Sequence, residues 1–225
     1  MDKYIAIIVA EIEELEAIKQ IMTNTKEINE YNLKIYFGDI NNKKYLIARS
    51  GVGKVNAART TQILIDKFNI EYVINTGSAG SLNDNLNIGD IVIGTELIQH
   101  DFDVSAFGRE KGYIPETGKI FRSSEELIKK CENIEISSIS IIKGIITSGD
   151  IFCTDIEMKE KIRAEFKSDC VEMEGAAIAQ VCYLSNIPFV VIRSISDSPN
   201  GNNQLDFQEY LKMASKNCAN LIKQI

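Results

Sequence analysis

His100 is the only histidine among 225 residues, so acid-base chemistry in this chain falls to carboxylates. Three groups of them stand where such chemistry is possible. In EIEELEAIKQIM (11–22), a helical advance of about 100 degrees per residue puts Glu11, Glu14, Leu15, Ile18 and Met22 on one stripe, with Glu13, Glu16 and Gln20 opposite. Glu14 then borders a buried face, either as a base or as a first-turn glutamate favoured by the helix dipole. In VEMEGAAIAQV (171–181), Glu172 and Glu174 flank Met173 ahead of a run whose only polar side chain is Gln180. A lone carboxylate there is costly to desolvate, so it has either partners or work. A helix starting near Glu174 aligns it with Ile178 and Val181 and turns Glu172 elsewhere; if 171–174 is strand, the two glutamates share a face. Glu174, at the strand-helix junction, is the stronger candidate, with a salt bridge to Arg193 as the structural alternative. In PFVVIRSISDS (188–198), Asp197 leaves a buried-looking strand, as a turn or cap aspartate or as an acid.

The elements that must position these groups follow from the apolar pattern. Short β-branched runs at 4–10, 44–50, 72–78, 89–98, 141–150 and 188–196 alternate with helical patterns, which implies an α/β domain with a largely parallel sheet. No linker or low-complexity tract interrupts them, and residues 1–225 read as a single domain. Segment 206–224 opens on Asp206 and Glu209, a capping-box-like pair, and carries Phe207, Tyr210, Leu211, Ala214, Cys218, Leu221 and Ile222 at helical spacing. In open α/β sheets ligands bind beyond the strand ends, which directs attention to Ala10/Glu11, Ser50/Gly51, 76–80, 148–152 and 194–197.

Composition narrows the function. The net charge of -7 offers no basic footprint, so nucleic acid is not an expected partner and a small molecule is. The first apolar run is too short to span a membrane, and the acidic stretch after it is wrong for a secretion signal; a cytoplasmic protein is expected. Five cysteines without a C-x-x-C pair imply reduced thiols rather than disulfides or zinc. RSGVGKV (49–55) is not a P-loop, because Ala48 and Val55 stand where Gly and Ser/Thr are needed, and Asn56 spoils a dinucleotide fingerprint. A tight turn bringing backbone close to a ligand suits its glycines better. His100 with Asp101 and Asp103 forms either a cation cluster or, in better accord with its geometry, a structural loop. Neither a metal nor a cofactor is expected.

Seven stretches then become recognisable in order: AIIVAEIEELEAI, SGVGKVNAA, VINTGSAGSL, HDFDVSAFG, SGDIFC, VEMEGAAIAQVC and VIRSISD. Together they closely resemble the 5′-methylthioadenosine/S-adenosylhomocysteine nucleosidases of the nucleoside phosphorylase superfamily, over nearly the whole chain. The resemblance implies a homodimer of α/β domains, each with a mixed, partly barrel-like central sheet flanked by helices. It implies hydrolysis of the N-glycosidic bond of 5′-methylthioadenosine and S-adenosylhomocysteine, and of 5′-deoxyadenosine, to adenine and a 5-substituted ribose. Glu14 becomes the base that activates water, Asp197 the acid that protonates adenine N7, and Glu174 the holder of the ribose hydroxyls. Met173 lines the sugar; Phe152 and the backbone of Cys153 hold adenine. Ser78, Arg193 and Ser196 are supporting polar groups, Val52 and Ala79 belong to the lining, and Phe207 covers the 5′ end. Val104, Phe107 and Pro115 match residues that reach into the neighbouring subunit's pocket.

This chain departs from the family's pattern at the first strand end, where Val9 and Glu11 replace a glycine and a methionine. The extra carboxylate either raises the pKa of one member of the Glu11/Glu14 pair or points to solvent. Two related activities compete. A purine nucleoside or methylthioadenosine phosphorylase needs arginines to hold phosphate, and the expected positions carry a glutamate-rich segment and Thr76. A futalosine hydrolase shares the chemistry on a different nucleoside. A non-catalytic nucleoside sensor on the same scaffold would be expected to lack Glu14 or Asp197.

Overall fold

The computed structural model describes residues 2–197 and 203–225, with side chains from Phe207 onward in the second stretch. In chain order the elements are β1 (Tyr4–Val9), α1 (Ile12–Lys19), β2 (Thr23–Glu30), β3 (Leu33–Ile40), β4 (Lys43–Arg49), α2 (Lys54–Lys67), β5 (Ile70–Ser81) and β6 (Ile91–Gln99). They continue with β7 (Phe121–Arg122), α3 (Glu125–Glu132), β8 (Ile141–Ser148), α4 (Ile156–Phe166), β9 (Cys170–Glu172), α5 (Gly175–Leu184), β10 (Phe189–Asp197) and α6 (Asn203–Ile222).

β5 organises the sheet because it is long enough to pair with β1 and β10 along its body and with β9 at its end. From β10 the ladder passes to β6, β8 and β9, and β9 returns to β5, so five strands close into a barrel-like ring. The sheet then extends outward from β5 through β1, β4, β3 and β2. The largely parallel sheet that strand-helix alternation predicts is thus corrected to a mixed one: β10 is antiparallel to β6, and β9 to β5. The mixed, partly barrel-like architecture implied by the resemblance is the one present.

Alternate residues of the central strands enter two different apolar cores. In β1, Ala6 and Ile8 pack with Leu46 and Val73, while Ile5, Ile7 and Val9 pack with Ile47 and Ile74 on the other side. Burial on both faces explains why these strands read as continuous apolar runs. The β2–β3 hairpin escapes such reading because β2 is an edge strand of Thr, Asn, Lys and Glu with mostly exposed positions. Its turn residues, Tyr31 and Asn32, have φ of 51° and 62°, and Asn41 and Asn42 before β4 have 50° and 63°. Two consecutive left-handed residues joining antiparallel strands fit the twist of a type I′ turn, which asparagine tolerates.

α6 buries Leu211, Ala214, Cys218, Leu221 and Ile222, and packs on β10 and α1. It begins at Asn203, so Asp206 is not its cap; the Asp206 side chain lies outside the described residues. No helix among the described residues is long and apolar enough to cross a membrane.

Candidate active site

Strand ends converge on a cavity of about 280 Å³. β1 delivers Ala10 and Glu11 and, one helical turn on, Glu14; β5 delivers Ser78, Ala79 and Gly80. β10 supplies Arg193, Ser196 and Asp197. β9 runs antiparallel to β5, with Val171 opposite Gly80, and so carries Glu172, Met173 and Glu174 back along the same wall. Ile151, Phe152 and Cys153 follow β8, Val52 comes from the turn before α2, and Phe207 from α6 closes on Phe152 edge to face, with ring centroids 5.6 Å apart.

The first helix has the register expected from its sequence: Glu14 is buried and Glu16 exposed. Four donors orient Glu14. The Ala10 and Glu11 amides donate to Oε2 at 2.9 and 3.0 Å, and the Ser78 amide and hydroxyl to Oε1 at 3.0 and 3.4 Å. Gly77 has to be glycine for this approach, since a Cβ there would lie 2.7 Å from Glu14 Oε1 and collide with the Arg193 guanidinium. Glu11 settles its own alternatives: it lines the cavity, and its pKa is raised by partial burial and then by the charges of Glu14 and Glu13.

Glu172 and Glu174 turn out to have different tasks. Glu172 ends β9 and takes the amides of Glu174 and Gly175, at 3.0 Å and at 2.8 and 3.0 Å, so its carboxylate answers the unpaired N–H groups opening α5. Ser148 Oγ donates to it and accepts from the Ala176 amide at 2.7 Å. Arg193 pairs with Glu172 and more loosely with Glu174, whose Oε2 lies 3.7 Å from the guanidinium. The salt bridge to Arg193 weighed as the structural alternative for Glu174 is thus present, with Glu172 as the tighter partner. Glu174 turns into the cavity, where the Gly53 amide donates to Oε1 at 2.8 Å. Gly53 holds φ at 98°, a conformation side-chain-bearing residues rarely adopt, so SGVGK does serve as a turn presenting backbone to the site. Gln180, the lone polar residue of the following run, is bonded to Gln99 at 2.6 Å.

Burial, and secondarily the charge of Glu172, raise the Glu174 pKa from 4.5 to about 8. A carboxyl group that stays protonated in the fold while it ionises in the unfolded chain favours the fold below about pH 4.5 and loses that advantage as pH rises to about 8. Glu174→Gln has no such ionisation, so its melting temperature relative to wild type should rise between pH 5 and 8. An identical difference at both pH values would show that Glu174 does not carry this proton.

Asp197 is held from two sides. Ser196 Oγ donates to Oδ1 at 3.1 Å, and the Lys159 ammonium pairs with Oδ2 at 3.0 Å, with both side chains of the pair about 3% exposed. Gly80 leaves the space for it, as a Cβ there would come 2.8 Å from Oδ2. Lys159 was not among the residues expected at the site. Lys159 had a legible signal, for it shares a helical stripe with buried Ile162 and Phe166 of α4. Val104, Phe107 and Pro115 lie outside this cavity's lining, Phe107 being 85% exposed on a short turn.

The phosphorylase superfamily model matches residues 4–225. A 5′-methylthioadenosine/S-adenosylhomocysteine nucleosidase of Staphylococcus aureus is 40% identical over 223 residues, covering 98% of each chain. The chain belongs to this nucleosidase family. Among solved structures, the Neisseria meningitidis nucleosidase in complex with methylthio-immucillin-A superposes with a TM-score of 0.95 at 39% identity, covering 98% of this chain and 97% of that one. The futalosine hydrolase of Helicobacter pylori gives a TM-score of 0.94 at 34% identity, with 99% and 96% covered. Nucleosidase and futalosine hydrolase thus both share this chain's fold.

Proposed function

We propose that this chain hydrolyses the N-glycosidic bond of 5′-methylthioadenosine and S-adenosylhomocysteine, and of 5′-deoxyadenosine, releasing adenine and the 5-substituted ribose. The observation that carries this reading is the placement of Glu14, Glu174 and Asp197 around one cavity, each with different partners. Adenine leaves poorly until N7 is protonated, and C1′ then develops oxocarbenium character that an activated water captures. Asp197 protonates N7, and the C1′–N9 electron pair departs with the purine. Glu14 takes the proton of the water that adds to C1′. Glu174 binds the ribose hydroxyls, Met173 lines the sugar, and Phe152 with the Cys153 backbone holds the purine. Ser78 and Ser196 fix the two reacting carboxylates, Arg193 fixes Glu172, and Ala79 and Val52 complete the wall.

Hydrolysis is favoured over phosphorolysis by charge. Arg193 is the one arginine lining the cavity among the described residues, and Glu172 already occupies it. Glu11 and Glu14 would repel an incoming phosphate. Adenine release from 5′-methylthioadenosine should therefore run at full rate in phosphate-free buffer with free 5-methylthioribose as product. Dependence on phosphate, with a ribose 1-phosphate formed, would make the enzyme a phosphorylase. Assaying futalosine alongside tests the second nucleoside.

The chain acts as a homodimer in this reading, because Val104, Phe107 and Pro115 lie outside their own cavity's lining, with Phe107 and Pro115 exposed, and exposed apolar surface marks an interface. They reach the partner's 5′ end. Activity should fall on dilution in parallel with dimer dissociation measured by light scattering; a fully active monomer would remove the claim. The buried free thiols suit a reducing compartment, the cytoplasm.

A further inference from the structure

Lys159 lies behind the reacting carboxylate, outside the cavity lining, and buries its ammonium against Asp197 Oδ2 at 3.0 Å. A buried ion pair adds little stability over apolar packing, so its position beside the acid asks for another reason. N7 of an N9-substituted purine carries a lone pair, and an ionised carboxylate can only accept. With Lys159 on Oδ2 and Ser196 on Oδ1, Asp197 is surrounded by donors and suited to the carboxylate form, which cannot bond N7.

We propose that Lys159 is a positioning residue that keeps Asp197 ionised in the empty site, so that the proton later given to N7 enters from solvent when the purine binds. The proposal rests on the nucleosidase reading above. One solvent proton adds to Asp197; on reaction its O–H bond breaks, the N7–H bond forms, and the C1′–N9 pair leaves with adenine. Glu14 returns the proton taken from water to solvent, so the cycle closes without a net change in the protein.

Other charged groups among the described residues face this pair. Glu11 and Glu14 reach the cavity from α1, Glu172 and Glu174 from β9 and the start of α5, and Arg193 of β10 is engaged by Glu172. On the segment entering α4, Asp155 caps the helix through the Glu157 amide, and burial pushes the Cys153 thiol up to about 11, leaving it neutral.

The test is calorimetry of purine binding near pH 7.5 in buffers of different ionisation enthalpy, which counts protons taken up. The probe is 9-methyladenine, which has an N7 lone pair and no sugar to lose; 9-deazaadenine, whose N7 bears hydrogen, can donate to a carboxylate and is the control. Wild type should take up about one proton with 9-methyladenine and none with 9-deazaadenine. Lys159→Met leaves a buried carboxylate without its cation, so uptake should fall toward zero and the alkaline limb of kcat/KM should move up by about one pH unit or more. Lys159→Arg should restore the wild-type proton count. Absence of uptake in wild type, equal uptake with the two purines, or unchanged uptake in Lys159→Met would each overturn the proposal. Should Lys159→Met fail to fold, the wild-type and Lys159→Arg counts decide alone, zero uptake in either overturning it. Failure of both purines to bind would instead bring down the nucleosidase reading, and this proposal with it.

Discussion

Asp197→Asn is expected to lower turnover of 5′-methylthioadenosine by about 10²- to 10⁴-fold, the range for loss of a general acid, while nucleoside binding stays measurable. An asparagine amide can donate a hydrogen bond to N7 but has no proton to transfer. The space that Gly80 leaves is already filled by the carboxylate, and asparagine is nearly the same size, so the pocket should keep its shape. The variant does remove the charge opposite the buried Lys159 ammonium, and breaking a buried ion pair typically costs about 3–5 kcal/mol. Turnover must therefore be read on protein shown to be folded, by circular dichroism at the assay temperature. Retention of more than roughly a tenth of wild-type turnover, against the range expected of a lost acid, would place the acid elsewhere.

How far this site is visible before folding depends on what kind of contact makes each part. Glu14 is legible because a helix has a fixed period, and Leu15 and Ile18 mark its buried face. The central strands are legible because burial on both faces writes an apolar run. β2 is not, since an edge strand facing water carries no such mark and is fixed by the Tyr31–Asn32 turn that pairs it with β3. The roles of Glu172 and Glu174 stayed open for a different reason: they depend on whether the chain is strand or helix at one residue. The antiparallel return of β9 alongside β5 decides it, and no local spacing encodes that return. The Lys159–Asp197 pair is of the same kind, joining residues 38 apart in sequence. Motif resemblance reached the carboxylates to which the proposed chemistry is assigned and the serines beside them, whereas Lys159 came from topology.

Glu14→Gln should reduce turnover about as severely as loss of any general base, by roughly 10²- to 10⁴-fold, whereas Glu13→Gln should be nearly silent. The two residues are adjacent, carry the same charge and stand in the same first turn of α1, so the pair separates position from electrostatics. A helix-dipole role would be lost about equally in both variants, at a cost of about 0.3–1 kcal/mol each. A base role belongs to Glu14 alone, because only its carboxylate is buried and reaches the Ser78 amide across the cavity wall. Glutamine at 14 also presents an NH₂ group where four donors converge, so at least one of them must lose its acceptor. Some loss of stability is expected for that reason, and it is separable from catalysis by measuring kcat well below the variant's melting temperature. Equal activity losses at the two positions would reduce Glu14 to a helix-end charge, and a larger loss at Glu13 would mean that water is activated from the other face of α1.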